Sequence, residues 1–241
     1  NNGIQTYYSK SPSIEKVKLF EKLEIFLIEM PEIWDEIQID SFINSFNVSI
    51  DRDHVFYQRR INTYFTRFKN IGGEFDLCGS GLYALAVKLF SEEILDEKFI
   101  IFRTKRDQFI NAKIARGKIV LELKKTSVSK ISTDSWISST GVYIKQLDEG
   151  HLNSLTIEDI INLTYPDEAD QKPGGFCGFR KEDDTIHLRY FSPWHGRNED
   201  FATLSVFKYL GHLLNNGDYK IQQNGHQFSC TILDNSVLLS E

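Results

Sequence analysis

The chain contains 241 residues, of which 28 are Lys or Arg and 34 are Asp or Glu, so its formal net charge is −6. This acidic balance argues against a nucleic-acid-binding or membrane-surface protein, because such proteins need a basic surface. Hydrophobic residues make up 41% of the chain and charged residues 26%, which is typical of a globular protein. The longest apolar runs have four to six residues, too few to cross a bilayer.

In chain order, apolar runs and alternation predict strands in the first half at 25–28, 55–57, 61–66, 99–104, 108–114 and 118–124. Pro31 and the acidic residues after it predict the start of a helix. A second helix is predicted at 79–91, where Leu82, Leu85 and Leu89 follow a helical spacing. The second half has predicted strands at 142–145, 176–180, 185–192 and beyond 214, with helices at 157–163 and 201–214.

An internal repeat is predicted from the tripeptides Tyr-Phe-Thr at 64–66 and Tyr-Phe-Ser at 190–192, which are 126 residues apart. At the same offset, Glu74 and Phe75 align with Asp200 and Phe201, and a predicted helix follows in each copy. The polar stretch at 126–130 is a plausible boundary. The sequence therefore predicts an α+β protein with two similar lobes, at 1–130 and 131–241, built mainly from antiparallel strands.

The glycine-rich segment at 72–81 is a candidate binding loop, since it contains four glycines and Cys78 just before the predicted helix. Small residues at a helix start let a carboxylate or phosphate approach the backbone amides, so Cys78, Gly79 and Gly81 are candidate substrate-binding residues. A purely structural role is the alternative, with Ser80 as the N-cap of the helix. Cys78 is either a reactive thiol or a small buried residue.

The corresponding segment of the second half, 196–205, contains Asp200 just before the other predicted helix. If the two lobes are equivalent, both helix N-termini face the cleft between them and favour a carboxylate-bearing ligand there. Asp200 as a structural cap is the alternative. His195 is the histidine closest to this predicted site, and we expect it at the rim.

The three cysteines, Cys78, Cys177 and Cys230, are widely spaced and form no zinc-binding pattern. We therefore expect free thiols, no metal and a reducing compartment, the cytoplasm.

The segment from Tyr190 to Ser205 reads Tyr-Phe-Ser-Pro-x-x-Gly-x-x-Glu-Asp-x-Ala-Thr-x-Ser, and it resembles a signature of the phenazine-biosynthesis PhzF-like family. Cys78-Gly79-Ser80 looks like that family's Cys-Gly-His segment. The resemblance implies the fold of diaminopimelate epimerase, in which each of two pseudo-symmetric lobes wraps a mixed, mostly antiparallel sheet around a central helix. Because homodimers are common in this family, it also implies a possible homodimer.

The resemblance further implies the role of individual residues. Asp53 stands where the family has its acid/base glutamate, and Asp200 and Ser205 match an aspartate and a serine of the second motif. Ser80 replaces the family's histidine and cannot act as a base near neutral pH. The residue 126 positions after Cys78 is Leu204, so racemisation by two thiols is not expected.

The function implied is that of a cofactor-independent isomerase, which moves a proton on a small carboxylate-bearing metabolite in the cleft between the lobes. Asp53, Asp200 and Ser80 are its expected catalytic residues, and Cys78, Gly79, Gly81, Ser205 and His195 its expected substrate-binding residues. Two alternatives remain open. One is a degenerate family member that only binds a small acid, and the other is a cyclase or lyase of specialised metabolism on the same scaffold.

Overall fold

The computed structural model describes residues 12–20, 23–46, 52–60, 63–92, 99–106, 108–165 and 173–241. The chain forms two compact units, Asn1–Ile119 (unit 1) and Val120–Glu241 (unit 2), and each is described by itself. The predicted boundary at 130–131 lies inside a strand of unit 2. No helix in the described ranges is long and apolar enough to cross a membrane.

Unit 1 combines a mixed sheet with two helices, α1 (Glu36–Phe46) and α2 (Gly79–Ser91). Its strands are β1 (Ser13–Leu19), β2 (Leu23–Glu29), β3 (Asp53–Arg60), β4 (Thr63–Asn70), β5 (Gly73–Phe75), β6 (Phe99–Thr104) and β7 (Phe109–Ala115). The order in the sheet is β1-β2-β3-β4-β6-β7, and β5 pairs with β4. The pairs β2–β3 and β4–β6 are parallel, whereas β1–β2, β3–β4, β4–β5 and β6–β7 are antiparallel.

Unit 2 has the same mixture of pairings. Its first strand, β8 (Lys118–Lys124), begins two residues before the start of the unit at Val120. The other strands are β9 (Val128–Ser132), β10 (Ser135–Ser138), β11 (Val142–Gln146), β12 (Gly175–Glu182), β13 (Thr185–Phe191), β14 (Gly217–Gln223), β15 (His226–Ile232) and β16 (Ser236–Ser240). Their order is β9-β10-β11-β12-β13-β14-β15-β16-β8, with β11–β12 and β13–β14 parallel. The helices are α3 (Glu149–Ser154), α4 (Ile157–Asn162) and α5 (Phe207–Leu210).

The predicted helix at 79–91 is confirmed to the residue as α2. Most of its length is buried, and Leu82 and Leu85 are completely inaccessible to solvent. It contacts β1, β2 and β3, so its apolar face is covered by the strands that precede it in the chain. Burial of large aliphatic side chains against a sheet is the main stabilisation that such a helix receives, at about 2 kcal/mol per side chain.

The predicted helix at 201–214 is wrong in length. Regular helix in this segment covers only Phe207–Leu210, and the bonds Phe207 N to Leu204 O and Tyr209 N to Val206 O are of the tighter i to i−3 type. The apolar spacing pointed to Phe207, Leu210 and Leu214 as the buried face; Phe207 and Leu210 are buried, whereas Leu214 is half-buried. The spacing of apolar residues indicates which positions are buried but not which type of helical turn the backbone forms. A run of 3₁₀-like turns buries nearly the same positions as an α-helix.

The predicted repeat offset of 126 does not match the strand register. Arg60 pairs with Thr63 at the closed end of the β3–β4 hairpin, and Glu182 pairs with Thr185 in β12–β13, which gives 182 − 60 = 122. Tyr64 therefore lies opposite Arg59, near its turn, whereas Tyr190 lies opposite Cys177, far from its turn. The two Tyr-Phe pairs look alike in sequence but occupy different places in their hairpins.

We expect the burial of α2 to carry a large part of the stability of unit 1. Leu85→Ala should lower the free energy of unfolding by about 2–5 kcal/mol, because it leaves a cavity in a packed interior. Leu233→Ala is the matched control, since Leu233 is 40% exposed. That variant should stay within about 0.5 kcal/mol of wild type in urea denaturation. Equal losses for the two variants would contradict this assignment of the core.

Candidate functional site

Three of the predicted site residues lie together in unit 1. Cys78 Sγ is 3.8 Å from Asp53 Oδ2 and 3.5 Å from Ser80 Oγ. Each of these three residues is only 6% exposed. The fold thus brings a carboxyl, a thiol and a hydroxyl into one buried cluster, which we call the Asp53 cluster.

The cluster forms where the first residue of β3 meets the first turn of α2. Asp53 begins β3 and pairs with Ile25 of the parallel strand β2. Gly81 allows the close approach, because a Cβ at this position would lie 2.7 Å from Val55 Cγ2 and 3.1 Å from Cys78 Sγ. The glycines of the 72–81 segment therefore include one whose lack of a side chain determines the geometry of the site.

Cys78, rather than Ser80, is the N-cap of α2, so the structural alternative predicted for Ser80 is wrong. The Gly81 amide donates to Cys78 Sγ at 3.2 Å, and the Leu82 amide donates to Cys78 O at 3.0 Å. Ser80 lies inside the first turn. The Gly81 amide, expected to contact the substrate, is already engaged, and the sulfur lies at the positive end of the helix dipole.

Asp200 lies in unit 2 and is part of a separate hydrogen-bonded group. Its Oδ1 accepts from Arg197 Nη1 at 3.1 Å, and its Oδ2 accepts from Thr203 Oγ1 at 2.7 Å. The Asp200 amide donates to Tyr190 O at 2.8 Å, which ties the loop to β13. Both carboxylate oxygens are thus oriented by residues of their own loop.

Gln223 is a residue that the sequence gave no reason to single out. It is 1% exposed, and its side chain accepts from the Thr203 amide at 2.8 Å and donates to Thr203 Oγ1 at 3.0 Å and to Asp200 O at 3.2 Å. Because a buried amide side chain needs partners on both its oxygen and its nitrogen, Gln223 fixes the main chain on either side of Phe201. A buried glutamine at the end of a strand carries no sequence signal of this kind.

The helix N-terminus expected just after Asp200 is absent from the described structure of that loop, since α5 begins only at Phe207 and has four residues. Ser205 is half-buried, two residues before α5, and its carbonyl accepts from the Lys208 amide at 3.3 Å. His195 is exposed on the 3₁₀ turn Pro193–His195, and its Nε2 is 3.0 Å from Pro173 O. Contacts with a ligand through Asp200 and Ser205 would have to come from side chains rather than from a helix end.

A buried arginine supports the loop that leads to Cys78. Arg67, 6% exposed in β4, donates from Nε and Nη2 to the two carboxylate oxygens of Glu74 at 2.6 and 2.7 Å. Its Nη1 donates to Trp34 O at 2.6 Å. Burial by itself would raise the pKa of Glu74, but the hydrogen bonds and charge of Arg67, followed by those of Lys105, hold this pKa below its usual value.

A second arginine makes the corresponding contacts in unit 2. Arg189 of β13 donates from Nε and Nη2 to the two oxygens of Glu199 at 2.9 and 2.7 Å. Its Nη1 lies 3.0 Å from the carbonyls of Leu152 and Leu155 at the end of α3. Glu199 directly precedes Asp200, so this ion pair supports the loop that carries Asp200.

Among the side chains that the structure describes, no group of three His, Cys, Asp or Glu residues is arranged to hold a metal ion. Cys78, Cys177 and Cys230 are free thiols, as the sequence predicted, and all three are buried. Burial raises the pKa of Cys230 to about 12 and also raises that of Cys177. Only Cys78 lies next to other predicted site residues.

The close approach at Gly81 leads to a prediction. Gly81→Ala should lower the free energy of unfolding by about 1–3 kcal/mol, because the new methyl overlaps Val55 and displaces the first turn of α2. Gly150→Ala in α3 is the matched control, since a Cβ there meets nothing closer than Asp148 Oδ1 at 3.6 Å. The control should be neutral or slightly stabilising in the same urea titration. A stabilised Gly81→Ala variant would contradict the geometry described.

The lowered pKa of Glu74 predicts a pH dependence. Its carboxylate stabilises the fold above its ordinary pKa of 4.5, and this contribution is lost as the pH falls through the lower folded-state value. Glu74→Gln should therefore be less stable than wild type at neutral pH and should lose less stability on acidification. Urea midpoints at about pH 7 and about pH 3.5 measure this difference. The exposed residue Glu32 provides the control, and Glu32→Gln should follow the wild-type profile.

No protein-family model matches the sequence, and neither does the sequence of any curated protein. Solved structures do match. A PhzF-family phenazine biosynthesis protein of Enterococcus faecalis has a TM-score of 0.71 at 17% identity, over 92% of this chain and 90% of that one. A protein of Clostridium difficile assigned to the phenazine biosynthesis PhzC/PhzF proteins has a TM-score of 0.68 at 18% identity, over 94% of this chain and 93% of that one.

A hydroxyproline epimerase of Agrobacterium vitis, solved with bound trans-4-hydroxy-L-proline, matches with a TM-score of 0.58 at 10% identity, over 95% of this chain and 88% of that one. Identities this low establish the fold and not the activity. The chain therefore has the fold of PhzF-family proteins, which confirms at the level of the fold the resemblance noted in its sequence.

Proposed function

We propose that this chain is a PhzF-like isomerase, which moves a proton on a small carboxylate-bearing metabolite without a cofactor. The observation that carries the proposal is the Asp53 cluster, in which a buried carboxyl lies 3.8 Å from a thiol at the N-terminus of α2. A PhzF-like fold, shared with a hydroxyproline epimerase, supports the same reaction class.

In the proposed reaction the Asp53 carboxylate removes a proton from a carbon next to an electron-withdrawing group of the substrate. The electron pair of the broken C–H bond is delocalised into that group, and the proton returns to a different carbon. The formula of the substrate does not change, so the step needs neither an oxidant nor a reductant. Ser80 donates a hydrogen bond to the developing anion, and the helix N-terminus at Gly79 favours its charge.

The residues proposed to hold the substrate in unit 2 are Asp200 and Ser205, with His195 as a less direct contact because it is exposed. A carboxylate oxygen accepts more than one hydrogen bond, so Asp200 can keep Arg197 and Thr203 and still bind a donor on the ligand. An acidic residue in this role suits a substrate that carries an amino or hydroxyl group as well as its carboxylate.

A small-acid binding protein is the second candidate function. It is favoured by Ser80, which occupies the position of the family's histidine, and by the bonds that already engage both oxygens of Asp200. A hydroxyl is a hydrogen-bond partner but not a base near neutral pH. On this hypothesis a ligand binds at the Asp53 cluster and leaves unchanged.

The cellular context is also a proposal. Three free thiols support a reducing compartment, so we propose a cytoplasmic protein, and the related family supports a homodimer. Size-exclusion chromatography with light scattering measures the oligomeric state directly.

Solvent-deuterium incorporation tests the isomerase. trans-4-Hydroxy-L-proline, L-proline and diaminopimelate are the probes, and calorimetry first identifies which of them bind. For a probe that binds, we expect deuterium at carbon in D₂O by NMR, and Asp53→Asn should slow this exchange by about 100-fold or more, because it removes the base. Asp35→Asn is the matched control, since Asp35 is an exposed carboxylate of the same unit outside the candidate loop, and asparagine keeps the oxygen that accepts from the Gln38 amide. It should exchange at the wild-type rate.

Binding without exchange for every probe that binds would contradict the isomerase and favour the binding protein. Exchange that Asp53→Asn leaves undiminished would contradict the role of Asp53. Because asparagine has the size of aspartate, circular dichroism and binding affinity establish whether the variant is still folded.

A further inference from the structure

The two arginines occupy equivalent positions in the β3–β4 and β12–β13 hairpins, whereas their glutamates lie 199 − 74 = 125 positions apart in the following loops. Arg67 and Arg189 differ by 189 − 67 = 122 positions, the same difference that relates the closed ends of their hairpins, Arg60 and Glu182. Each guanidinium uses Nε and Nη2 for the two oxygens of one glutamate and Nη1 for main-chain carbonyls. We call these pairs the Arg67 fork and the Arg189 fork.

Each fork holds the start of a candidate site loop. Glu74 lies in β5, four residues before Cys78, and Glu199 lies one residue before Asp200. The carbonyls that accept a hydrogen bond from Nη1 come from distant parts of the same unit. They belong to Trp34 for Arg67, and to Leu152 and Leu155 for Arg189. A fork therefore joins a hairpin, a site loop and a segment remote in sequence.

This arrangement is favourable because a guanidinium that is largely removed from water needs a negatively charged partner. A mostly buried arginine that lost its partner would leave an uncompensated charge, which costs several kcal/mol in a protein interior. Two parallel bonds to one carboxylate also fix its direction as well as its distance. The loop that carries the glutamate is thereby restricted in position, and a single-point lysine contact would not restrict it in this way.

We propose that Arg67 and Arg189 are positioning residues, and that each fixes, through its glutamate, the loop carrying the candidate site residues of its own unit. The inference rests on the proposed function only in treating these loops as the site. Arg67 then acts on Cys78 and Ser80 without touching a ligand, and Arg189 acts in the same way on Asp200.

Two local measurements on the full chain test the proposal without requiring turnover. The first is the rate at which iodoacetamide alkylates Cys78, followed by mass spectrometry of its peptide. The second is amide hydrogen exchange of residues 75–82 and 199–205. Arg67→Lys keeps the charge but loses the fork, so we expect both the alkylation rate and exchange at 75–82 to rise by about tenfold, through easier local opening.

Each fork provides the control for the other. Arg189→Lys should raise exchange at 199–205 and leave the alkylation of Cys78 at the wild-type rate, and Arg67→Lys should leave exchange at 199–205 unchanged. Amides of β7 report the rest of unit 1 and should keep their wild-type protection in both variants. Glu74→Gln, which retains the shape of the side chain but removes its charge, should give a smaller rise at Cys78 than Arg67→Lys.

If Arg67→Lys shows the wild-type rates of Cys78 alkylation and of exchange at 75–82, the proposal is overturned, because a positive charge alone would then be sufficient to hold the loop. An increase at β7 equal to that at 75–82 would also overturn it, since Arg67 would then stabilise unit 1 as a whole rather than one loop. If the forks behave as expected and no probe exchanges deuterium, the positioning role stands and the isomerase fails. If a probe incorporates deuterium at carbon, but alkylation and amide exchange in the variants stay at wild-type rates, the isomerase stands and the positioning role fails.

Discussion

A guanidinium group that is removed from water needs hydrogen-bond partners at all three of its nitrogens, and this requirement organises both candidate loops. In unit 1 Arg67 meets it with Glu74 and Trp34 O, and in unit 2 Arg189 meets it with Glu199 and the end of α3. Glu74 cannot move without leaving the buried charge of Arg67 uncompensated, and Glu199 plays the same part for the partly buried Arg189. One arginine thus anchors each loop at its glutamate, and in unit 2 Gln223 adds a second anchor at Asp200 and Thr203.

The Asp53 cluster depends on a second constraint, which is steric. β3 and α2 approach closely enough for the Cys78 sulfur to contact the Asp53 carboxyl because Gly81 has no side chain to separate Val55 from the helix. The sulfur in turn accepts a hydrogen bond from the Gly81 amide, which would otherwise be unpaired at the start of the helix. Cys78 thus satisfies a backbone amide of the helix start and contacts the carboxyl of Asp53, and all three residues of the cluster are buried.

The limits of prediction from sequence can be seen in two segments. At 79–91 the apolar spacing predicted one helix, and α2 has those bounds. At 201–214 the spacing was equally regular, but Gly211 weakens a helix, and the chain forms mixed turns around Phe207. Hydrophobic periodicity reports which side chains are buried, whereas the hydrogen-bond pattern of the backbone is decided by what surrounds it.

By itself, the sequence determined the helix at 79–91, several strand bounds, the free thiols and the resemblance to PhzF-like proteins, because these depend on local spacing and residue type. Only the tertiary structure decided that Cys78 caps α2 and that Asp53 contacts it. The strand register likewise decided that Arg67 and Arg189 stand at the same position of their hairpins, whereas the two Tyr-Phe pairs do not. The physical reason is that these facts are contacts between residues distant in the chain. Such contacts are determined by strand register and by the pairing of buried charges, and neither of these produces a periodic pattern of residues in the sequence.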